Sequence, residues 1–227
     1  MIPLVDIVGE WDKFLFDILS NSTVTNNLNI INRLYLSGGA IIYPAQINVF
    51  KAFKECPYKK LSVVILLQDP YHDGSATGIA LANDKSMLDK RISPSLRIVE
   101  DAIARTVYNN REFNFDATLM KWVKQGVLML NTALTVEAGK PLSHHDYWVA
   151  FTQLVLKKLS DCNSGIIYCL WGKYAESYAQ YINPLSNTIL RSTHPVYSIY
   201  SGKAWECDHF NMINKQLKEF NNTTIIW

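Results

Sequence analysis

Little in this sequence announces a metal, a phosphate loop or a membrane. Four cysteines, Cys56, Cys162, Cys169 and Cys207, are scattered without a C-x-x-C pair. That spacing suits neither zinc nor an iron–sulfur cluster, and they read as small core residues or idle thiols. The ten glycines form no Gly-rich phosphate loop, and neither a G-x-S-x-G elbow nor an H-E-x-x-H helix occurs. No apolar run approaches the roughly 18 residues that span a bilayer. The opening Met-Ile-Pro-Leu-Val-Asp lacks the basic start and long apolar stretch of a secretory signal. An intracellular protein is expected, cytoplasmic or, in a eukaryotic host, nuclear, with no structural disulfides. Formal charge is only +2, so a nucleic-acid partner would have to be met by a local basic patch rather than a basic body. No repeat, low-complexity stretch or linker divides the chain, and residues 1–227 read as one domain.

What is present is apolar and ordered. Residues AVILMFWYC make up 48% of the chain, enough for a substantial core. The most informative stretch is 62–72, Ser-Val-Val-Ile-Leu-Leu-Gln-Asp-Pro-Tyr-His. Val63–Leu67 is continuously apolar, as expected of a strand buried on both faces of a parallel sheet. Pro70, with a fixed φ and no N–H, cannot continue a central strand. Gln68, Asp69, Tyr71 and His72 therefore fall on a turn at the strand's carboxyl end, where open α/β sheets place their ligand crevices.

Helical spacing predicts amphipathic helices over Trp11–Leu19 and 25–36, the second stopped by Gly38-Gly39. A third is expected to open at Pro44 with Ile47, Phe50 and Phe53 facing inward, closing at Cys56-Pro57. Residues 73–82 read as a loop with a short extended segment, and 83–93 as charged and irregular. Ser93-Pro94-Ser95 starts a helix with Leu96, Val99 and Ile103 inside, and Leu119–Val123 forms a short one ended by Gly126. Val127–Leu130 is a second buried strand delivering Asn131. Residues 146–160 form a helix, 165–171 a third strand, and Gly172 opens a helix through about Tyr181. Residues 187–191 form a fourth strand, presenting His194-Pro195. Phe210, Ile213, Leu217 and Phe220 mark a last amphipathic helix. The alternation implies α/β architecture, a central four-stranded parallel sheet with helices on both faces. Three strand ends then carry candidate site residues: Asp69 with His72, Asn131, and His194. A carboxylate, an amide and a histidine in one cleft suggest hydrolysis in which water is steered and a leaving group stabilised. From the residues alone the reading stops at a metal-independent α/β hydrolase.

A resemblance supplies the substrate. VVILLQDPYHDG resembles the water-activating GQDPYHG motif of family 1 uracil-DNA glycosylases. The segments KQGVLMLNTALTVEAGKPLSH, IIYCLWGKYAESY and LRSTHPVYSIYSG follow in the family's order, and with IYPAQINVFKAF upstream the similarity spans nearly all of 41–220. It implies a three-layer glycosylase fold, no cofactor and no metal. The implied activity is hydrolysis of uracil's N-glycosidic bond in DNA, single- or double-stranded, leaving an abasic site. Asp69 matches the carboxylate that stabilises a cationic sugar and orients water, and His194 the donor to the uracil oxyanion. Asn131 matches the amide that reads uracil's edge, with a turn cap as the alternative. Tyr71 matches the ring that occupies the space of a thymine methyl, and Gln68 is expected to offer backbone contacts to uracil. Ser95 matches a phosphate-gripping serine, or is a helix cap. Pro195, Ser198, Tyr200 and Ser201 lie on the loop expected to meet DNA. Supporting roles fall to Ser143 and His144, which resemble the family's Ser-His, and to His72, whose alternative is turn packing.

Three departures from the family pattern stand out. Leu67 replaces the glycine before QDPYH. Leu81 stands where the family has the phenylalanine that stacks on uracil. The loop after His194 reads Pro-Val-Tyr-Ser-Ile-Tyr-Ser, which places Ser198 at the wedge in the ungapped register and Tyr200 there after a local shift. The expected partner is uracil-containing DNA, for a monomer with no membrane association. A proteinaceous inhibitor or replication partner is compatible but not readable from the sequence. A DNA-binding or scaffolding member with weak or no excision is the competing class. An unrelated small-molecule hydrolase would leave the ordered motifs unexplained.

Overall fold

The apolar runs become strands in the places their composition dictates. This computed structural model describes residues 10–84 and 92–227. Most of the charged 83–93 stretch, and the opening residues read for a signal, therefore lie outside the described residues. Helices α1 (Glu10–Leu19) and α2 (Ser22–Ser37) lead into a two-residue strand β1 (Ile42–Tyr43), a single turn, and α3 (Lys51–Glu55). Strand β2 (Val63–Leu67) follows, then α4 (Pro94–Thr106), α5 (Met120–Lys124), β3 (Val127–Asn131) and β4 (Val136–Glu137). The chain finishes with α6 (His145–Cys162), β5 (Ile167–Trp171), α7 (Lys173–Glu176), β6 (Thr188–Ser192), α8 (Tyr197–Ser201) and α9 (His209–Asn221).

Four strands pair in parallel in the order β3-β2-β5-β6, and β1 pairs with β4 in a separate antiparallel ribbon. Register sets Leu67 opposite Asn131 and Trp171 opposite Ser192, so all four carboxyl ends meet along one edge of the sheet. Every residue of β2, β3 and β5 is buried. Each large apolar side chain so placed contributes about 1.5–3 kcal/mol as an upper estimate. Helices α1, α2 and α6 pack together as one layer, while α4 packs against α9. The core between them includes Trp122, Trp148 and Trp171, all buried.

Local chemistry fixes the ends. Asn21 accepts from the N–H groups of Thr23 at 3.1 Å and Val24 at 3.3 Å, so α2 starts at Ser22 rather than 25. Gly126 has φ +99°, and a Cβ there would lie 1.9 Å from the Lys60 carbonyl oxygen. Only glycine fits that turn into β3.

Three expectations fail. The helix predicted from Pro44 is a 3-10 turn over Gln46–Asn48 followed by α3, and Phe50 leaves helical geometry between them. Ile47 consequently sits on a separate turn and is exposed. No strand forms over 73–82; Ala80 instead donates one backbone hydrogen bond to Met129 of the edge strand at 3.2 Å, and turns take up the rest. Phe220 is exposed in the last turn of α9, where the buried stripe has already ended at Leu217.

Candidate active site

The site is assembled from the loops that leave β2, β3, β5 and β6. On the β3 side, Tyr71, Gly78, Leu81 and Asn131 line a narrow slot with Pro70 and Leu134. Asn131 is 7% exposed, and among the described residues its amide has no hydrogen-bond partner. It does not cap the following turn, whose Thr132 and Ala133 N–H groups bond instead to Leu67 and Gln68 carbonyls. An amide that no protein group engages at the mouth of a slot is available to a ligand. Donor and acceptor are thus both available to a planar polar edge in the slot.

The opposite walls are held by Tyr71. Its hydroxyl donates to the Leu81 carbonyl at 3.1 Å and accepts from Ser93 Oγ at 2.5 Å. Burial pushes the Tyr71 phenol well above its ordinary range. Leu81 is 6% exposed with φ +67°, a left-handed conformation that leucine rarely adopts. The serine whose hydroxyl is bound here is Ser93, not Ser95. Ser95 is buried in the first turn of α4, caps nothing, and among the described residues its hydroxyl has no partner.

Asp69 follows β2, with both carboxylate oxygens oriented. Gln68 Nε2 donates to Oδ1 at 2.9 Å, and the Leu142 N–H donates to Oδ2 at 2.7 Å. Gln68 is fixed through its backbone, since its carbonyl accepts from Thr132 Oγ1 at 2.6 Å and Ala133 N at 3.1 Å. Leu142 itself has φ +66°. Its turn is tied down by Ser143 Oγ, which accepts from Glu137 N at 2.8 Å, and by Gly139 N, which donates to the His72 carbonyl at 2.9 Å. His72 contributes that carbonyl while its side chain is exposed. His144 is fully buried, its Nδ1 paired with Thr135 Oγ1 at 2.8 Å, and Trp148 Nε1 donates to the same oxygen at 2.7 Å. Burial lowers the His144 pKa against the opposing charge of Glu137, so the ring is held neutral. Its Nε2 is buried with no partner among the described residues.

His194 follows β6. The Val196 N–H donates to His194 Nδ1 at 3.2 Å, which leaves the proton of the neutral ring on Nε2. Burial pushes its pKa down to about 4, so the imidazole is neutral at ordinary pH. Gly172 makes room for it: φ is +96° and a Cβ would stand 3.0 Å from His194 Cβ. His194 opens on a second recess of about 480 Å³, shared with Gln68, Trp171, Lys173, Tyr174 and Tyr197. Of the loop beyond, Pro195 is buried beneath the turn, Ser198 and Ser201 are half-buried, and Tyr200 is 80% exposed on α8. His209 is a core residue. Its Nδ1 accepts from Trp171 Nε1 at 3.0 Å, and its Nε2 meets the Arg191 carbonyl at 3.2 Å.

The sheet edge therefore brings together Gln68, Asp69, Tyr71, Leu81, Asn131 and His194, with Ser143 and His144 behind Asp69. Leu142 carries no signal in the sequence, because a backbone N–H does the work. Gly172 could have been found, as a glycine directly after a buried strand that must pass another element. A neutral N–H donor, a held carboxylate and an unpaired amide along one sheet edge suit cleavage of a bond whose leaving group is a planar, hydrogen-bonding anion.

Comparison with known proteins agrees. The family model "Uracil DNA glycosylase superfamily" matches residues 53–218. A protein of Coxiella burnetii named uracil-DNA glycosylase is 41% identical over 192 residues, 83% of this chain and 81% of its own. One of Borrelia turicatae with the same name is 35% identical over 224 residues, covering 97% and 98%. The crystal structure of mimivirus uracil-DNA glycosylase superposes with a TM-score of 0.87 at 25% identity, covering 99% of this chain and 89% of that one.

Proposed function

Since the chain belongs to the uracil DNA glycosylase superfamily, we propose that the sheet-edge site is where it removes uracil from DNA. It is a base-excision repair enzyme, a hydrolase of N-glycosyl bonds that acts on uracil-containing DNA, releases free uracil and leaves an abasic site. The observation that carries the assignment of the site is the convergence of Asp69, Asn131 and His194 at one sheet edge.

Roles follow from charge development. As the bond to uracil lengthens, the sugar becomes cationic and uracil gains negative charge. Asp69, held from two sides, opposes the first and orients water; His194 Nε2–H donates to the second. A neutral imidazole loses no charge in doing so and needs no reorganisation. Asn131 reads the base edge, because its amide offers a donor and an acceptor that cytosine would meet in reverse. The Tyr71 ring fills the space a thymine methyl would take. Leu81 replaces an aromatic wall with a smaller apolar one. Exposed Tyr200 on α8 suits a wedge between bases better than half-buried Ser198. With Ser201 and the Pro195 turn it forms the DNA-facing loop.

The reading extends to setting and partners. The protein works as a cytoplasmic monomer on its DNA, without cofactor or metal. A protein ligand is compatible with it, since a solved mimivirus relative is in complex with UGI. The test is incubation of the purified chain, with a chelator, on oligonucleotides bearing one uracil, thymine or cytosine, followed by alkaline strand cleavage. Cleavage is expected at uracil alone. Activity that vanishes with the chelator and returns with a divalent cation would refute the metal-free mechanism. Binding without cleavage would make the chain a non-excising member of the fold.

A further inference from the structure

Ser93 stands at the N-cap of α4, with φ −56° and ψ 144°, yet its hydroxyl bonds to none of the helix's first N–H groups. Serine is favoured at that position because its oxygen ordinarily accepts from one of them. This one is turned away from the helix and meets the Tyr71 hydroxyl at 2.5 Å. The direction of that bond follows from counting protons. The phenol has a single proton, and the Leu81 carbonyl, 3.1 Å away, can only accept it. Ser93 therefore donates. Its own backbone is held in turn, since its N–H donates to Asn83 Oδ1 at 2.9 Å. Asn83 is 3% exposed, and its N–H donates to the Ala117 carbonyl at 2.9 Å. A chain of held groups thus runs from the core to the phenol of a ring that lines the slot, while Ser93 itself does not line it.

We infer that Ser93 is a positioning residue for base selection: it fixes the far end of the Tyr71 ring and so sets how closely that ring approaches a substituent at C5 of the base. The inference rests on the functional reading above, which places the ring there, and deepens it. A tyrosine ring swings about two side-chain torsions, and its hydroxyl is the point farthest from both. With the hydroxyl bound from two sides the ring is held in one setting. Without Ser93 only the Leu81 carbonyl remains, and Leu81 lines the same slot. The free space in the slot is about 20 Å³, little more than one water molecule needs, so a small tilt of one wall decides what is admitted. Exclusion of a methyl group then depends on a hydrogen bond made outside the slot as well as on the ring that faces it.

The experiment measures single-turnover excision of uracil and of thymine from the same single-stranded oligonucleotide, with enzyme in excess and at one salt concentration. It compares the wild type with Ser93→Ala, Ser93→Thr, Tyr71→Phe and the Ser93→Ala/Tyr71→Phe double variant. Equilibrium dialysis of free uracil and free thymine reads the same preference without cleavage. The net contribution of one hydrogen bond corresponds to about 2- to 12-fold. Ser93→Ala should lower the uracil-to-thymine preference by about that factor, mostly through a gain on thymine. Threonine keeps the hydroxyl and suits the extended backbone before Pro94, so Ser93→Thr should keep the preference. In the Tyr71→Phe background, which has no phenol oxygen to hold, Ser93→Ala should change nothing further. A loss that falls equally on both bases, or the same relaxation with and without the phenol oxygen, would make Ser93 a merely structural residue and overturn the inference. So would a Ser93→Ala protein that gains thymine in neither readout, or a Ser93→Thr protein as relaxed as Ser93→Ala. A wild type that excises no uracil would overturn the functional reading instead, and the dialysis ratios would still decide on Ser93.

Discussion

Leu81→Phe is the perturbation that probes the slot most sharply. Leu81 has φ +67° and is 6% exposed, and its carbonyl accepts from Tyr71 at 3.1 Å. Phenylalanine suffers in that backbone conformation as leucine does, so the strain of order 1–3 kcal/mol is already present and does not change. Two terms then compete. A larger ring forced into the core costs about 1–3 kcal/mol. A ring turned toward the slot, which Leu81 lines together with Asn131, gains base stacking of about 1–3 kcal/mol when uracil is bound. Because Leu81 lines the slot and the core behind it is filled, the ring should turn toward the slot. The fold should therefore hold, and uracil binding should tighten about five- to a hundred-fold. The assay is free-uracil inhibition together with subsaturating excision on single- and double-stranded DNA at one salt concentration, since phosphate contacts make affinity salt-dependent. The gain should be larger on duplex, where stacking holds the base against return. A neutral or harmful effect in every measurement would mean that the pocket is rebuilt around leucine, and the placement of that wall would fail.

Base choice should reside in two side chains. Asn131→Asp is expected to admit some cytosine and Tyr71→Ala some thymine, read on strands carrying each base; no relaxation with uracil activity retained would remove both assignments. The His194 pKa is about 4 against an ordinary value of 6.5, so excision should show no loss attributable to this ring between pH 8 and 6. The unfolded chain binds its proton first, so the same group should cost stability progressively as pH falls from about 6.5 toward 4. Denaturant midpoints measured with His194→Gln as reference would show whether that acid-side loss belongs to this residue. Gly172→Ala should cost about 1–3 kcal/mol, because φ +96° with ψ 165° is a glycine-only region. It should also slow excision by displacing His194, and an unchanged rate would mean that their close approach is slack.

Much of this was legible because buried parallel strands are uniform apolar runs that stop abruptly. Val63–Leu67 and Val127–Leu130 are read directly, and so are the polar residues that end them, Asp69 and Asn131. What the runs do not carry is their order. That β2 lies between β3 and β5 depends on pairings between distant segments. Strands β1 and β4 are two residues each, too short for any periodicity. Ile47 and Phe220 fit a helical stripe on paper, but one sits on a separate 3-10 turn and the other beyond the packed length of α9. Inside the site, residue types were legible and their anchors were not. The N–H of Leu142 that holds Asp69 and the N–H of Val196 that fixes the His194 tautomer are backbone groups, which every residue but proline possesses.

The account stands or falls on charge stabilisation by Asp69 and His194, and single-turnover release of uracil reads it directly. Wild-type protein, Asp69→Asn and His194→Leu would be mixed in excess with a uracil oligonucleotide, and free uracil followed in time, with DNA affinity measured in parallel. Removing one preorganised group of this kind costs about 2.7–4 kcal/mol of barrier, or a hundred- to a thousand-fold in rate. Each variant is expected to lose at least a hundred-fold in rate while binding DNA within a few-fold of the wild type. A near-normal rate for either variant, or a loss explained wholly by weaker DNA binding, would contradict the mechanism.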